Sequence, residues 1–334
     1  MTVVTGENGA GKTSLIEAVG YLSTLRSFRG SPREALVRSG APHALVRAEL
    51  AEGSRRIEIR AEITPGRRDE VRCNGQRVTR VEQLLEVLQV TVFTPDDLAL
   101  VKGAPEGRRH YLDELLEGSR PRGAALRREV ERILRQRNTL LKQAGGRASA
   151  EVLATLDIWD EKLAHAGTTL VTEREQLVAE LAPYAAAAFS RLSTLPAPLE
   201  LSYARSFPVP LAAALAAARD DDLRRQVTTV GPQRDDLVVS SGGLDARTRL
   251  SQGQQRSATL ALRLAGHEVT AARRGARPVL LLDDAFSELD THAATALLHE
   301  LPSGQAILTT AHPLPAGAHP AAVLDLVAGE LHPR

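Results

Sequence analysis

The stretch Gly6-Glu7-Asn8-Gly9-Ala10-Gly11-Lys12-Thr13-Ser14 sets three glycines beside a lysine and two hydroxyls. Its spacing is G-x-x-x-x-G-K-T. The glycines let a backbone curl until its N–H groups converge on phosphate oxygens. Lys12 brings a point charge to the β- and γ-phosphates of a nucleoside triphosphate, and the Thr13 hydroxyl can ligate Mg2+. Of 42 lysines and arginines only four are lysine, so Lys12 runs against the composition, at a place where a planar guanidinium fits badly. Lys102 is a weaker case of the same kind and also suits an ordinary surface lysine.

Two further clusters carry phosphate chemistry. Pro278-Val279-Leu280-Leu281-Leu282 is a continuous apolar run, as expected of a buried parallel strand, and it ends in Asp283 and Asp284. Acids at a strand end are the expected partners of a phosphate loop. Asp283 would enter the Mg2+ shell, and Asp284 would orient or deprotonate an attacking water. The plainer alternative is that both acids cap the helix entered through Ser287-Glu288-Leu289-Asp290. Leu250-Ser251-Gln252-Gly253-Gln254-Gln255-Arg256-Ser257 leads into a helix expected to run to about Arg274. Ser251 is a good N-cap and Gly253 allows close backbone approach. That describes a second anion site or, more simply, a capped helix. His312 ends the strand around 306–310 and gains interest only from this company.

These residues need a scaffold. Thr2–Thr5 reads as a short strand, and residues 14–19 as an apolar-faced helix, which is the setting a phosphate loop requires. Alternation over 44–50 and 56–63 predicts half-buried antiparallel strands, Asn74-Gly75 a tight turn, 81–88 a helix and 90–93 a buried strand. Leu126, Val130, Ile133, Leu134, Leu140 and Leu141 make one helical stripe, which Ala144-Gly145-Gly146 breaks. Val152, Leu156, Trp159, Leu163, Leu170, Leu177 and Leu181 make a second, so an antiparallel helical arm is expected. Residues 323–332 suggest a closing hairpin. The expected division is 1–107 and 231–334 as two halves of an α/β lobe, with 108–230 as a helical lobe.

The 334 residues suffice for a sizeable core, and a net charge of +1 gives no global field toward polyanions. One cysteine excludes a disulfide framework or a multi-cysteine metal site. No apolar run approaches a membrane span, and no signal peptide is visible, so the expected location is cytoplasmic.

The order of these parts resembles the ABC-type ATPase head found in SMC proteins. That order is phosphate loop, long insertion, Leu-Ser-x-Gly-Gln, apolar strand with two acids, Ser-x-Leu-Asp and strand-end His. More narrowly, the chain is similar to the bacterial RecF family of recombination mediator ATPases. The narrower match lies in residues 26–29, 94–103, Arg108-Arg109-x-Tyr111-Leu112-Asp113, Gly231-Pro232-Gln233-Arg234-Asp235-Asp236-Leu237 and 251–256. The resemblance implies an α/β head with a P-loop parallel sheet, an antiparallel β subdomain and an inserted helical arm lobe. It implies ATP and Mg2+ between two heads packed head to tail. The P-loop, Asp283, Asp284 and His312 of one would face Ser251, Gln252, Gly253 and Gln254 of the other. Ser251 and the Gly253 backbone would touch the γ-phosphate, and His312 would sense it. It further implies slow, switch-like hydrolysis, a role in DNA repair, replication-fork maintenance and the SOS response, partnership with RecR and RecO, and loading of RecA at DNA gaps. The family's glutamine-bearing loop falls near Phe93–Asp97, where this chain has no glutamine. The family also carries strands ahead of its P-loop, whereas only five residues precede Gly6, so the resemblance implies a missing sheet edge.

DNA binding is argued partly from charge. Residues 120–147 hold Arg120, Arg122, Arg127, Arg128, Arg132, Arg135, Arg137, Lys142 and Arg147 against Glu129 and Glu131. Like charges at i, i+4 cost helix stability, and phosphate neutralisation would explain them. A solvated arginine-rich face is the alternative. Aromatics make up only 3% of the chain, so duplex or duplex-end backbone contact is expected rather than base stacking. Arg108, Arg109, Arg128, Arg132 and Arg135 are the candidate contacts. Two competing readings share the head: a membrane transporter's nucleotide-binding subunit and an SMC-like chromosome-structure ATPase. The basic arm opposes the first, and the lack of a long coiled coil opposes the second. Against a P-loop kinase or GTPase, this sequence has no Asn-Lys-x-Asp guanine reader, and 250–257 would be left without a role.

Overall fold

The computed structural model describes residues 1–120, 123–287 and 289–334. Arg122 and Glu288 lie outside the described residues. The chain forms two compact units: 1–97 with 275–334, and 98–274. The division thus falls at 97 and 274 instead of 107 and 230, and residues 231–274 group with the helices.

The first unit opens with β1 (Thr2–Thr5), α1 (Lys12–Thr24), β2 (Ala44–Glu52), β3 (Arg55–Ile63), β4 (Glu70–Cys73), β5 (Gln76–Arg77), α2 (Glu82–Leu85) and β6 (Val90–Phe93). The second follows with α3 (Ala99–Lys102), α4 (Pro105–Ser119), α5 (Gly123–Ala144), α6 (Ala150–Leu192), β7 (Leu199–Ala204), α7 (Leu211–Arg225), β8 (Asp236–Ser241), β9 (Leu244–Asp245), α8 (Ala246–Arg249) and α9 (Gln252–Arg274). The chain then re-enters the first unit with β10 (Val279–Asp283), α10 (Thr291–Glu300), β11 (Ala306–Thr310), β12 (Ala322–Val327) and β13 (Glu330–Pro333).

In the first unit the main sheet runs β13-β12-β1-β11-β10-β6, parallel except for β13. Its central strands are buried, which is why Val3-Val4 and Leu280-Leu281-Leu282 read as unbroken apolar runs. Because β1, β10 and β11 are parallel, their carboxyl ends share one edge of the sheet. Gly6, Asp284 and the turn to His312 follow those ends. The smaller sheet, β2-β3-β4-β5, is antiparallel. Ile57, Ile59, Ala61 and Ile63 of β3 alternate inward onto Tyr21 and Leu22 of α1. Each of these buried isoleucines contributes roughly 1.5–3 kcal/mol before entropy is counted. Asn74 and Gly75 both have positive φ (47° and 76°), as a tight hairpin turn requires.

In the second unit α5 and α6 form the antiparallel pair expected of an arm. Leu141 packs with Leu156, and Gly145 and Gly146 turn the chain at φ 55° and 83°. At 43 residues α6 is about 65 Å long. Arg137 is wholly buried within this pair, toward its connecting turn. It donates to Asp160 of α6 and Asp222 of α7, each at 2.7 Å, and to Thr228 at 2.9 Å.

Candidate nucleotide-binding site

Residues 6–11 form the loop between β1 and α1. Gly9 and Gly11 adopt φ of 85° and 103°, a region that costs other residues strain. At Gly6 the constraint is space, since a Cβ there would come within 2.8 Å of the Leu326 carbonyl oxygen. Lys12 is only 8% exposed. Its Nζ donates to the carbonyls of Gly6 and Glu7 at 2.8 and 2.9 Å, so the ammonium arches back over the loop. Glu7, Asn8 and Ser14 are exposed at this edge, and Ala10 closes the turn through its N–H to Glu7 O.

Across the sheet edge Thr13 Oγ1 donates to Asp283 Oδ1 at 3.1 Å. Asp283 is buried and also accepts from Thr309 Oγ1 at 2.7 Å. A hydroxyl and a carboxylate this close form a hard oxygen pair. Mg2+ prefers such a pair, completing its octahedron with phosphate oxygens and water. Among the described residues no group of three or more His, Cys, Asp or Glu could hold a metal. The donor set therefore fits a metal that arrives with a phosphate rather than one caged by protein. Asp284 sits at φ 48°, and its backbone N–H donates to both Thr309 O and Thr309 Oγ1 at 3.1 Å. Its Oδ1 is buried without a partner among the described residues, as befits a carboxylate poised for an incoming group. Neither acid caps the following helix: Asp290 does, accepting from Ala293 N–H at 2.8 Å. His312 is exposed, and its N–H donates to Thr310 Oγ1 at 3.0 Å. Thr309 is the residue that the sequence did not single out. Two consecutive threonines ending an apolar strand were the signal.

The helix start expected as a second anion site belongs to the other unit. Ser251 Oγ accepts from Gln254 N–H at 3.3 Å, and Gln254 Oε1 accepts from Ser251 N–H at 2.8 Å. This reciprocal pair is a capping box, the two-donor form of the expected N-cap. Ser251, Gln252 and Gly253 are exposed. A Cβ added at Gly253 would meet nothing within 4 Å, so the chain's own packing does not require glycine there.

The profile of the RecF/RecN/SMC N terminal domain matches residues 1–313. The DNA replication and repair protein RecF of Streptomyces avermitilis is 43% identical over 327 residues, covering 93% of this chain and 87% of that protein. Its counterpart in Frankia alni is also 43% identical, over 329 residues, with the same coverage. The chain belongs to the RecF family. A solved structure of the recombination mediator protein RecF-ATP in the RecFOR pathway is 28% identical. It superposes with a TM-score of 0.89 over 100% of this chain and 91% of that one. The Smc head domain from Pyrococcus furiosus, 14% identical with a TM-score of 0.57, shares the fold. Membership places the chain among RecF/SMC-type ATPase heads and among proteins of DNA replication and repair.

In this RecF-family chain the candidate DNA-binding arginines divide. Arg108 is corrected by the structure. It is buried, its Nε and Nη2 each donate to Asp236 at 2.8 Å, and its Nη1 donates to Gly103 O. Arg109 is half-buried, with Nη1 on Asp235 O at 2.8 Å. Asp235 is itself buried and accepts from Tyr203 Oη and Ser206 N–H. Burial pushes the Tyr203 phenol up, which keeps it a neutral donor. The Gly231–Leu237 stretch thus serves its own unit internally. The basic arm also shrinks. Arg120 pairs with Glu173, Arg127 with Glu117 and Glu131, and Arg137 is buried. Arg128, Arg132 and Arg135, with Lys142, stay exposed along one face of α5 at i, i+4, i+7 and i+14.

Proposed function

We propose that this chain is an ATP-dependent DNA-binding protein of DNA repair and replication-fork maintenance. Two copies pack head to tail and close two ATP sites between them. Residues 6–14, Asp283, Asp284 and His312 of one copy meet Ser251, Gln252, Gly253 and Gln254 of the other. The observation that carries this reading is the open surface at Gly253 beside an exposed, capped helix start. We read it as a second anion site, its surface left open by the chain's own packing, in a protein whose phosphate loop lies elsewhere.

In that site the loop N–H groups and Lys12 receive the β- and γ-phosphates. Thr13 and Asp283 would hold Mg2+, which supplies charge neutralisation on the phosphate oxygens. Asp284 takes the proton of the attacking water. The water oxygen bonds to the γ-phosphorus as the bond to the β–γ bridging oxygen breaks, leaving ADP and phosphate. Ser251 and the Gly253 N–H read the γ-phosphate from the partner copy, and His312 reads it from its own side. Loss of that phosphate removes the link joining the copies, so slow, DNA-stimulated hydrolysis acts as a release switch.

Arg128, Arg132 and Arg135 contact the duplex backbone, at a gap or single-strand/double-strand junction, and the clamp helps load RecA. RecR and RecO are the protein partners, consistent with the RecFOR pathway of the RecF-ATP relative. The site of action is the cytoplasm, within the SOS response. Among the described residues no helix is long and apolar enough to cross a membrane.

Sizing the protein in solution tests the composite site. A dimer is expected with ATP, and a monomer with ADP or for Ser251→Arg with ATP. One species under all three conditions would overturn the mechanism.

A further inference from the structure

Thr309 lies at the centre of the parallel sheet, where β11 runs between β1 and β10, and it is wholly buried. In register it stands opposite Asp283 on one side and Val4 on the other. A buried strand position of this kind ordinarily takes valine, which has the same shape, and a hydroxyl there costs free energy unless it is paired. Here it is paired, with a long contact to Leu282 O at 3.5 Å besides two shorter bonds. Oγ1 donates to Asp283 Oδ1 at 2.7 Å and accepts the backbone N–H of Asp284 at 3.1 Å.

The two partners have different tasks. Asp283 Oδ1 is the oxygen that Thr13 also approaches, so Thr309 turns that carboxylate toward the loop. The Asp284 N–H belongs to a residue at φ 48°, and that backbone setting aims the Asp284 carboxylate, whose Oδ1 has no partner among the described residues. One hydroxyl therefore ties the direction of one acid to the backbone turn of the next. Thr310 does a separate job, holding the turn at His312 through its N–H and O.

We propose that Thr309 is a positioning residue for ATP hydrolysis, its hydroxyl holding Asp283 in its metal-binding rotamer and Asp284 in its water-facing turn. The inference rests on the reading of this edge as an ATP and Mg2+ site. It assigns no contact between Thr309 and nucleotide.

The test compares wild type, Thr309→Val and Thr309→Ser. Mn2+ binding is followed by electron paramagnetic resonance with a non-hydrolysable ATP analogue, alongside kcat and KM for ATP. Hydrogen bonds to charged groups set the expected scale. For Thr309→Val, Mn2+ affinity and kcat each fall roughly ten- to a hundredfold, and KM for metal-bound ATP rises with the lost metal affinity. Thr309→Ser, which keeps the hydroxyl, recovers most of both. Wild-type Mn2+ affinity and kcat in Thr309→Val would overturn the inference while leaving the ATP site standing. So would Thr309→Ser failing as badly as valine, since the methyl would then be what matters. Should Thr309→Val not fold, Thr309→Ala against Thr309→Ser asks the same question of the hydroxyl. If wild type itself holds no Mn2+ with the nucleotide, the ATP-site reading falls and the inference with it.

Discussion

Thr13 Oγ1 and Asp283 Oδ1 stand 3.1 Å apart although 270 positions separate them in the chain. The loop hydroxyl and the strand-end carboxylate hydrogen-bond to each other where both would meet a metal. Removing either should therefore weaken nucleotide binding chiefly when Mg2+ is present. For Thr13→Val and for Asp283→Asn the expected loss of ATP affinity is about tenfold or more with Mg2+, shrinking toward parity in EDTA. Titration calorimetry in the two buffers checks this. An equal loss in both would mean the pair acts without metal.

Asp284 combines a left-handed backbone with a buried oxygen that has no partner among the described residues. Asp284→Gly should leave the nucleotide-free protein at least as stable, with a gain of up to about 1 kcal/mol, because glycine adopts this φ without strain. Turnover should drop by roughly two to four orders of magnitude, while ATP still drives dimer formation. Thermal melts, phosphate release and sizing read the three effects separately.

Gly253 faces open space in its own chain. Gly253→Ala should not lower the melting temperature of the monomer, and the helix start gains up to about 1 kcal/mol from better propensity. The proposed ATP-dependent dimer should nevertheless weaken, because in that arrangement a methyl group would enter the space of the partner's nucleotide. A dimer as tight as wild type would show that no close backbone approach occurs there.

Arg108 and the arm arginines should separate cleanly. Charge reversal at Arg128, Arg132 and Arg135 is expected to lower DNA affinity at nearly unchanged stability. The salt slope should fall by about 0.9 for each phosphate that is no longer neutralised. Arg108→Met should instead lower stability, since it strands Asp236 of the bidentate pair, and should leave the slope of the folded protein alone. Salt titrations of DNA binding beside urea unfolding distinguish the two.

Arg137 is fully buried between Asp160 and Asp222. Truncating it leaves the buried Asp222 without its arginine, while Asp160 keeps Arg219 at 2.6 Å, and Arg137→Met should cost about 3–5 kcal/mol in urea unfolding. Wild-type stability would show that these acids neutralise or rehydrate without it.

Local rules carried much of the sequence reading. The phosphate loop, the apolar strand ending in two acids, the N-cap at Ser251, the Asn74-Gly75 turn and the glycine break between two helical stripes each depend on neighbours within a few positions. Those neighbours lie in the same stretch of chain. Arg108 failed as a candidate DNA-binding residue for the complementary reason. An arginine's partner can come from anywhere, and Asp236, which buries this one, is 128 positions away. The arm's charge misled in the same way: composition counts an arginine paired with Glu173 or Asp222 as equal to one facing solvent.

The sequence by itself determined the chemistry on offer, because glycine, lysine, hydroxyl and carboxylate at those spacings have few other uses. It also determined β1, β2, β3, β6, β10, β11 and the arm helices, through their periodicity, whereas β7, α7 and β8 were not read from it. Only the tertiary structure decided which groups meet. Parallel pairing of β1, β11 and β10 brings Thr13, Asp283 and Asp284 to one edge, and the register that sets Thr309 opposite Asp283 gives one buried hydroxyl a hold on both acids. Register is a property of the assembled sheet, set by packing on both of its faces, and no window of sequence contains it.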